Sequence, residues 1–548
     1  MKNVFGIVCV FVCGLLILSC DGLQKERVDL IIHNATIYTV DESFSKEEAL
    51  AVRDGLILAI GPEHEIMNKY QSAQIINAKK QFVYPGFIDG HCHFLGYGLN
   101  LQLVDLRGAK NWQECLARVN KITNPNSTEW IEGNGWDETE WADVGFPTNK
   151  ELNEMFPNQP ILLRRIDGHA AIANAKALAL AGVTNTSVVT GGEIVLDNGE
   201  MTGLLIDNAV QLVVNAMKKP SVSKKEKALL DAQKNCFSMG LTTVDIAGLD
   251  REDIDLIQRL QHDSVLKMNV YAMISDKKEN TDYYLKKGPV LERKLTVRSV
   301  KVYADGSLGS RGAALLHPYT DDTLNSGMIL TSKEHIAQLA TQIYAAGFQM
   351  NTHCIGDSAN RLVLDVYANV LQGVNDKRWR IEHAQVIDSI DLDKYKKYTI
   401  IPSVQPTHAI SDMNWVNNRL GAERILTAYR NKDLLMQNRI LALGTDFPVE
   451  EISPLKTFYS AVFRVNDEGL PEGGFNIENA LSPEEALKGM TIWNAISNFE
   501  ENEKGSLEVG KKANITMLNM DILTVRAKDF NKLEVTTTIV DGEVVYRK

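Results

Sequence analysis

Two histidines separated by a single residue are the richest chemical feature of this sequence. His91 and His93 stand in PGFIDGHCH, a segment that is typical of a β-strand. Residues i and i+2 of a strand lie on the same face, so both imidazoles can point together while Cys92 points to the opposite face. Two imidazoles on one face make half of a metal site. The alternative is a pair of ordinary polar residues in a loop.

Three further residues of the same chemical kind come at the ends of later strand-like runs. His353 ends FQMNTH, His383 ends RWRIEH and Asp446 ends ILALGTD. Each follows apolar or β-branched residues, among which an unpaired polar side chain is costly. The carboxyl ends of parallel barrel strands meet at one mouth. The sequence therefore predicts a shared site for one or two divalent metal ions. Imidazole ligands favour Zn²⁺, with Mn, Fe or Co as alternatives.

A lysine is predicted to face the same site. Lys301 lies in RSVKVYADG, and strand alternation should turn it inward beside the ligands. Burial and a nearby cation both lower the pKa of a lysine. A neutral lysine can react with carbon dioxide to form an anionic carbamate, which can bridge two metals. The alternative is an ion pair with a nearby carboxylate such as Asp305.

Eight strand-like runs must position these residues, and amphipathic stretches such as 332–347 lie between some of them. The runs are 82–89, 241–248, 267–274, 296–304, 348–353, 378–383, 399–404 and 440–446. Strands alternating with helices predict an α/β fold, here a (β/α)8 TIM-like barrel spanning 82–502. The gap after the first run is too long for one helix and predicts an inserted subdomain at about 100–225.

The two ends of the chain share a β-rich character. Short alternating runs sit between Asp-Gly and Gly-Pro turns in 27–81, and similar runs recur in 503–548. We therefore predict one small β-sandwich domain that both termini complete.

The first twenty residues predict export. The apolar run 4–18 is too short to cross a hydrocarbon core and is typical of a secretory signal peptide, 1–20. Cys20 after Leu-Ser resembles the lipobox of bacterial lipoproteins, which implies a lipid-anchored protein of the cell envelope. An uncleaved membrane anchor is the alternative. We expect free, buried thiols at the four later cysteines, which are Cys92, Cys115, Cys236 and Cys354.

The overall composition limits the partners. The 548 residues include 44% hydrophobic and 23% charged residues, which excludes a mostly disordered chain or a polytopic membrane protein. The net charge is −12, from 58 basic and 70 acidic residues, which argues against nucleic acid. We expect a small-molecule substrate and membrane contact only through the anchor at Cys20. A homo-oligomer is compatible with this sequence.

Four more residues are candidates for contact with a substrate. His169 is an oxyanion donor or substrate contact, or else a turn residue after an Asp-Gly pair. Arg311 can hold a substrate carboxylate through its fork, or pair with a protein carboxylate. Trp136 either lines a pocket or packs the insertion on the barrel. His408 can reach the mouth from the loop after the seventh run.

Several motifs together resemble a known family. PGFIDGHCHF, VKVYADGSLGSR, NTHCIGD, RIEHAQ, LGTDFP and GSLEVGKKANI are similar to segments of the amidohydrolase superfamily. The closer resemblance is to amidohydrolase family 3, the branch that includes N-substituted formamide deformylase, and DGHAAIANAKAL is similar to that branch in particular. The likeness covers nearly the whole mature chain.

The resemblance implies a metal-dependent hydrolase that acts mostly on C–N bonds. It implies that His91, His93 and Asp446 bind one metal. It further implies that His353 and His383 bind a second, with Lys301 as a carboxylated bridge. Family members contain one or two metals.

The expected chemistry is hydrolysis by a metal-activated water. A Zn²⁺-type ion lowers the pKa of water to about 7, and Asp446 can take its proton and pass it to the leaving nitrogen. A hydrolase of an ester, lactone or phosphoester is an alternative on the same scaffold. A non-catalytic solute-binding lipoprotein is another, but structural metal sites are closed by four ligands, and six candidate ligands favour an open catalytic centre.

Overall fold

The computed structural model describes residues 25–122, 129–138, 141–142, 145–166, 170–189, 192–217 and 219–548. The signal peptide, Cys20 and His169 lie outside these residues, so export, lipid attachment and a role for His169 stay predictions. Across the described ranges, every helix is too short or too polar to cross a bilayer.

Eight parallel strands form the centre of the fold, each hydrogen-bonded to the next in chain order. The first to eighth barrel strands are Phe87–Cys92, Leu241–Leu249, Asn269–Ser275, Leu295–Tyr303, Gln349–Cys354, Arg380–His383, Ile401–Val404 and Ala442–Leu443. Backbone hydrogen bonds link the two ends of this sheet, from Asp446 N to His91 O and from His93 N to Phe447 O, both 2.8 Å. The predicted TIM-like α/β barrel is therefore confirmed as a nearly closed eight-stranded barrel.

The predicted extent of the first barrel strand, 82–89, was wrong, because the chain passes from one sheet to another within this run. Phe82–Pro85 pairs with strands of the chain termini, and the barrel strand begins only at Phe87. The change occurs at Gly86, where a Cβ atom would lie 2.4 Å from the side chain of Thr242. Only glycine lets the backbone pass this close to the second barrel strand.

Strands from both chain ends pair directly with one another. One sheet contains Leu56–Gly61, Ala49–Arg53, Leu30–His33 and Gln74–Asn77. A six-stranded sheet contains Glu543–Arg547, Val535–Val540, Ile515–Leu518, Phe82–Pro85, Thr36–Tyr38 and Lys46–Glu47. Leu30, Ile515 and Ile539 are fully buried in a core common to these sheets. A small pairing joins Glu26–Arg27 to Tyr70–Gln71. The predicted domain boundaries stay a prediction.

The segment between the first and second barrel strands contains a separate six-stranded sheet. In spatial order its strands are Val104–Asp105, Ile131–Trp136, Ile161–Arg165, Ala170–Ala173, Glu200–Asp207 and Gly192–Asp197. A short strand, Val290–Leu291, pairs antiparallel with the first residues of the fourth barrel strand.

The helix Lys333–Ala346 illustrates how local sequence sets an element. Ser332 accepts a hydrogen bond from the backbone N–H of His335 at the start, and Gly347 ends the helix in the left-handed region, with φ of 75°. The other helices are Glu63–Lys69, Phe94–Asn100, Trp112–Ile122, Lys150–Met155, Ala175–Leu180, Asn208–Ala216, Val222–Ser238, Arg251–His262, Lys278–Lys287, Asp357–Leu371, Leu392–Lys397, Pro406–Asp412, Val416–Arg424, Asn431–Asn438, Pro454–Phe463, Pro483–Gly489 and Ile492–Ser497. Short 3₁₀ turns lie at Ser389–Asp391, Ile425–Thr427, Ile477–Asn479 and Ala527–Lys532.

The interior of the barrel below the mouth is polar, whereas branched apolar residues usually fill this space. Arg380 Nη1 donates to Asp245 Oδ2 at 3.0 Å, and both residues are fully buried. Asn498 donates to the other carboxylate oxygen of Asp245 at 2.7 Å. This buried ion pair therefore links the second and sixth barrel strands below the mouth.

The cysteine prediction is confirmed for the described part of the chain. Its four cysteines, Cys92, Cys115, Cys236 and Cys354, are all free and buried. Burial raises the pKa of Cys92, Cys236 and Cys354 well above the usual thiol value, so these thiols are unreactive packing residues.

Candidate metal centre

Three side chains at the carboxyl ends of barrel strands lie close enough to share one ion. His91, His383 and Asp446 each offer a ligand atom, and these atoms all lie within 4.8 Å of one another. His383 and Asp446 have φ of 71° and 62°, in the left-handed region that residues other than glycine seldom enter. Such backbone conformations cluster at functional sites. At His383 the turn breaks strand alternation, so that it and its neighbour Glu382 both reach the centre.

The remaining predicted ligands lie directly beside these three. His93 Nε2 is 3.2 Å from Asp446 Oδ1, and Lys301 Nζ is 3.0 Å from His91 Nε2. The ring centroid of His353 lies 4.5 Å from that of His383. The structure therefore brings all six residues together, from five different strand ends.

Unpaired buried atoms show that the donor set fits a metal ion. Among the described residues, His353 Nε2, His408 Nε2 and Asp446 Oδ1 are buried without a hydrogen-bond partner. Native proteins pair nearly all such atoms, so several of them at one place point to a ligand. Imidazole nitrogen and carboxylate oxygen are suitable donors for a divalent ion of the zinc type. The donor set of this centre therefore fits a divalent metal ion.

Burial and mutual repulsion keep the imidazoles neutral. Burial lowers the pKa of His91, and the Lys301 ammonium lowers it further. The same two causes bring the pKa of His353 to about 3. Burial, with His353 and His91 as neighbours, holds the pKa of His383 well below its usual value. A neutral imidazole keeps a free lone pair, which is the form that binds metals.

The aspartate is held in its charged form. Burial raises the pKa of Asp446, but the imidazoles of His93, His91 and His383 more than offset this effect. The pKa therefore lies well below the usual value. An ionised carboxylate among neutral imidazoles offers a negative charge and lone pairs, which together can bind a metal cation.

Lys301 does not pair with Asp305, which was the alternative considered from the sequence. Asp305 instead accepts backbone hydrogen bonds from Ala314, Ile355 and Gly356 at 2.8–3.0 Å. Burial lowers the pKa of Lys301, although Glu382 and Asp446 oppose the shift. Its carboxylation stays a prediction.

Two acceptors that orient the ligands were missed in the sequence. Glu382 Oε2 accepts a hydrogen bond from His91 Nδ1 at 2.5 Å, and Gln405 Oε1 accepts one from His383 Nδ1 at 2.7 Å. Each bond fixes its ring with Nε2 turned toward the centre, where His91 Nε2 lies 3.0 Å from Lys301 Nζ. The only sequence signal was that both acceptors stand at strand ends. Which histidine each one meets depends on the register between strands.

We expect Glu382→Gln to weaken metal binding about 10- to 100-fold, because the carboxylate that fixes the His91 ring is lost. Metal affinity is measured by competition with a chelator. Glu63→Gln is a matched control, since Glu63 makes the same contact with His33 Nδ1 at 2.8 Å far from the barrel mouth. Equal affinities in the two variants would contradict the orienting role.

Two of the predicted substrate contacts have protein partners in the structure, and a third lies at the mouth. Trp136 is fully buried, and its indole N–H donates to the Leu163 carbonyl at 2.8 Å, so it packs the core of the insertion. The Arg311 fork is occupied by Asp321, with two bonds of 3.0 Å, which is the alternative pairing. His408 does reach the mouth, where its Nε2 lies 3.7 Å from Asp446 Oδ2.

Comparison with known proteins agrees with this geometry. A family model described as "Amidohydrolase family" matches residues 74–546. The chain is 33% identical to Protein LONG AFTER FAR-RED 3 of Arabidopsis thaliana, over 94% of this chain and 91% of that protein. It is 26% identical to N-substituted formamide deformylase of Arthrobacter pascens, over 96% and 99% of the two chains.

A solved structure is similar to this chain over the whole length of the solved chain. An uncharacterized metal-dependent hydrolase from Pyrococcus furiosus matches with a TM-score of 0.77 and 29% identity, covering 90% of this chain and 100% of that one. These matches confirm the family that the motifs predicted. The protein is accordingly a hydrolase, and its chain belongs to the amidohydrolase family.

Proposed function

We propose that this hydrolase cleaves the carbon–nitrogen bond of a small-molecule amide of the N-acyl or N-formyl type. The observation that carries the proposal is the cluster of His91, His383 and Asp446, which combines neutral imidazoles with a buried carboxylate at the barrel mouth. The similarity to N-substituted formamide deformylase over nearly both chains supports the type of bond.

The proposed ligands divide into two groups. His91, His93 and Asp446 would hold one divalent ion. His353 and His383 would hold a second, with Lys301 between the groups, and Zn²⁺ is the proposed metal. A bound divalent ion polarises a carbonyl oxygen and brings the pKa of water close to neutrality.

Asp446 is the proposed proton carrier. Its Oδ1 lacks a hydrogen-bond partner among the described residues and faces His93 and His91. Its low pKa keeps the carboxylate ionised, and an ionised carboxylate can take up a proton from the attacking water. It then delivers that proton to the nitrogen that leaves, which cannot depart as an anion. His408 Nε2 lies 3.7 Å from the other carboxylate oxygen, Oδ2.

Access to the centre is from the mouth side. The His93 side chain is 33% exposed, whereas His91 is fully buried beneath it. A small substrate can therefore approach past His93 and reach the deeper ligands, and the fully buried Glu382 and Arg380 close the lower side.

The experiment is a hydrolysis screen of N-formyl and N-acyl amines with the zinc-loaded protein, with matched esters, lactones and phosphoesters in parallel. We expect turnover of at least one amide class, loss of that turnover after chelation, and recovery when Zn²⁺ is restored. Turnover confined to esters, lactones or phosphoesters would refute C–N specificity. Metal-loaded protein that hydrolyses nothing in any class would favour a binding protein.

A further inference from the structure

Tyr303 is a residue of the mouth that no step above has used. It follows Lys301 by two residues on the fourth barrel strand, so both side chains lie on the inner face. It is also 41% exposed, whereas Lys301 is 1% exposed. The aromatic ring therefore stands above the buried lysine, at the level where a substrate arrives.

The ring is held in place by its neighbours. Its centroid lies 5.4 Å from that of His353, and Lys301 Nζ lies 5.0 Å from it. The backbone carbonyl of Tyr303 accepts a hydrogen bond from Thr331 Oγ1 at 2.6 Å, which ties the strand end to the following loop. The ring therefore lies against both His353 and Lys301 at the mouth.

The hydroxyl group reaches over the end of the second barrel strand. Gly248 lies there, and a Cβ atom on it would be 3.6 Å from the hydroxyl oxygen. A phenol hydroxyl carries its proton at neutral pH and can donate a hydrogen bond.

The centre has two distinguishable sides. Asp446, with His93 and His408 in contact, occupies one of them. Lys301, His353 and Tyr303 occupy the other. Since the proposed proton delivery directs the leaving nitrogen toward Asp446, the carbonyl oxygen of the same substrate points toward the side of Tyr303.

We propose that the Tyr303 hydroxyl donates a hydrogen bond to the substrate carbonyl oxygen, and that this bond becomes stronger as negative charge develops on that oxygen. This inference rests on the proposed hydrolysis of an amide. A donor of this kind acts mainly in the transition state, so it changes kcat more than KM.

The test is Tyr303→Phe, which keeps the ring and removes only the donor. On an amide that the wild-type protein hydrolyses, we expect kcat to fall about 10²- to 10³-fold with KM nearly unchanged and full metal content. Tyr344→Phe is the matched control, because Tyr344 is equally exposed, at 40%, on an outer helix. It should keep wild-type kcat.

A thioamide analogue gives a second readout, because sulfur is a weak hydrogen-bond acceptor. The rate ratio of amide to thioamide should shrink in Tyr303→Phe relative to wild type. Wild-type kcat in this variant, or an unchanged ratio, would overturn the role of Tyr303 and leave the proposed function standing. Failure of the wild-type protein to hydrolyse any amide would instead refute the proposed function, and the role of Tyr303 with it.

Discussion

Asp446→Asn is expected to lose hydrolysis almost completely while the protein stays folded. The carboxylate is both a proposed ligand and the proposed proton carrier, and a positioned acid–base group contributes roughly 10²- to 10⁴-fold to rate. An amide in its place cannot accept the proton. We therefore expect kcat on the best substrate to fall by about three orders of magnitude or more.

This substitution is structurally mild. Asp446 has a φ of 62°, and asparagine tolerates the left-handed region as well as aspartate does. Circular dichroism and the melting temperature should therefore match wild type. Asp54→Asn is the control, because Asp54 has a φ of 53° in a turn far from the barrel mouth. Asp446→Asn with more than a tenth of wild-type kcat would refute the proposed role.

Arg380→Met is expected to cause the largest loss of stability among single substitutions in the barrel. The variant leaves Asp245 buried without its cation, and breaking a buried ion pair from one side costs about 3–5 kcal/mol of unfolding free energy. The guanidinium also donates to the Gly90 carbonyl at 3.3 Å and to Asn498, so the strand that carries His91 loses a support.

The measurement is urea unfolding, with two comparisons. Arg526→Met removes an exposed arginine that pairs with Asp529, and exposed pairs contribute only about 0–1 kcal/mol. The double variant Asp245→Asn/Arg380→Met removes both charges of this pair and should recover part of the lost stability. Arg380→Met within about 1 kcal/mol of wild type would show that the pair is unimportant.

The positions of the ligands were predictable because two local rules suffice for them. Strand alternation puts His91 and His93 on one face, and the chemistry of a barrel sits at the carboxyl ends of its strands. His353, His383 and Asp446 each close a strand-like run, so their convergence was predicted without knowledge of any contact. The six-residue cluster and the family assignment both agree with that reasoning.

Other features could not be read from neighbouring residues. The chain passes from one sheet to another at Gly86. A glycine is needed there because Thr242 lies against its backbone. Arg311 is taken up by Asp321 rather than by a substrate, and Trp136 is turned into the core of the insertion. Each outcome depends on which group of opposite charge or which apolar surface is nearest in space.

The sequence by itself determined the barrel and the donor residues that its strands carry, because period-two alternation and residue type are local properties of the chain. Only the tertiary structure decided that Glu382 meets His91, that Gln405 meets His383, and that Tyr303 faces the space above Gly248. Those pairings depend on the register between strands far apart in the chain. Register is set by the packing of the whole barrel rather than by any one segment.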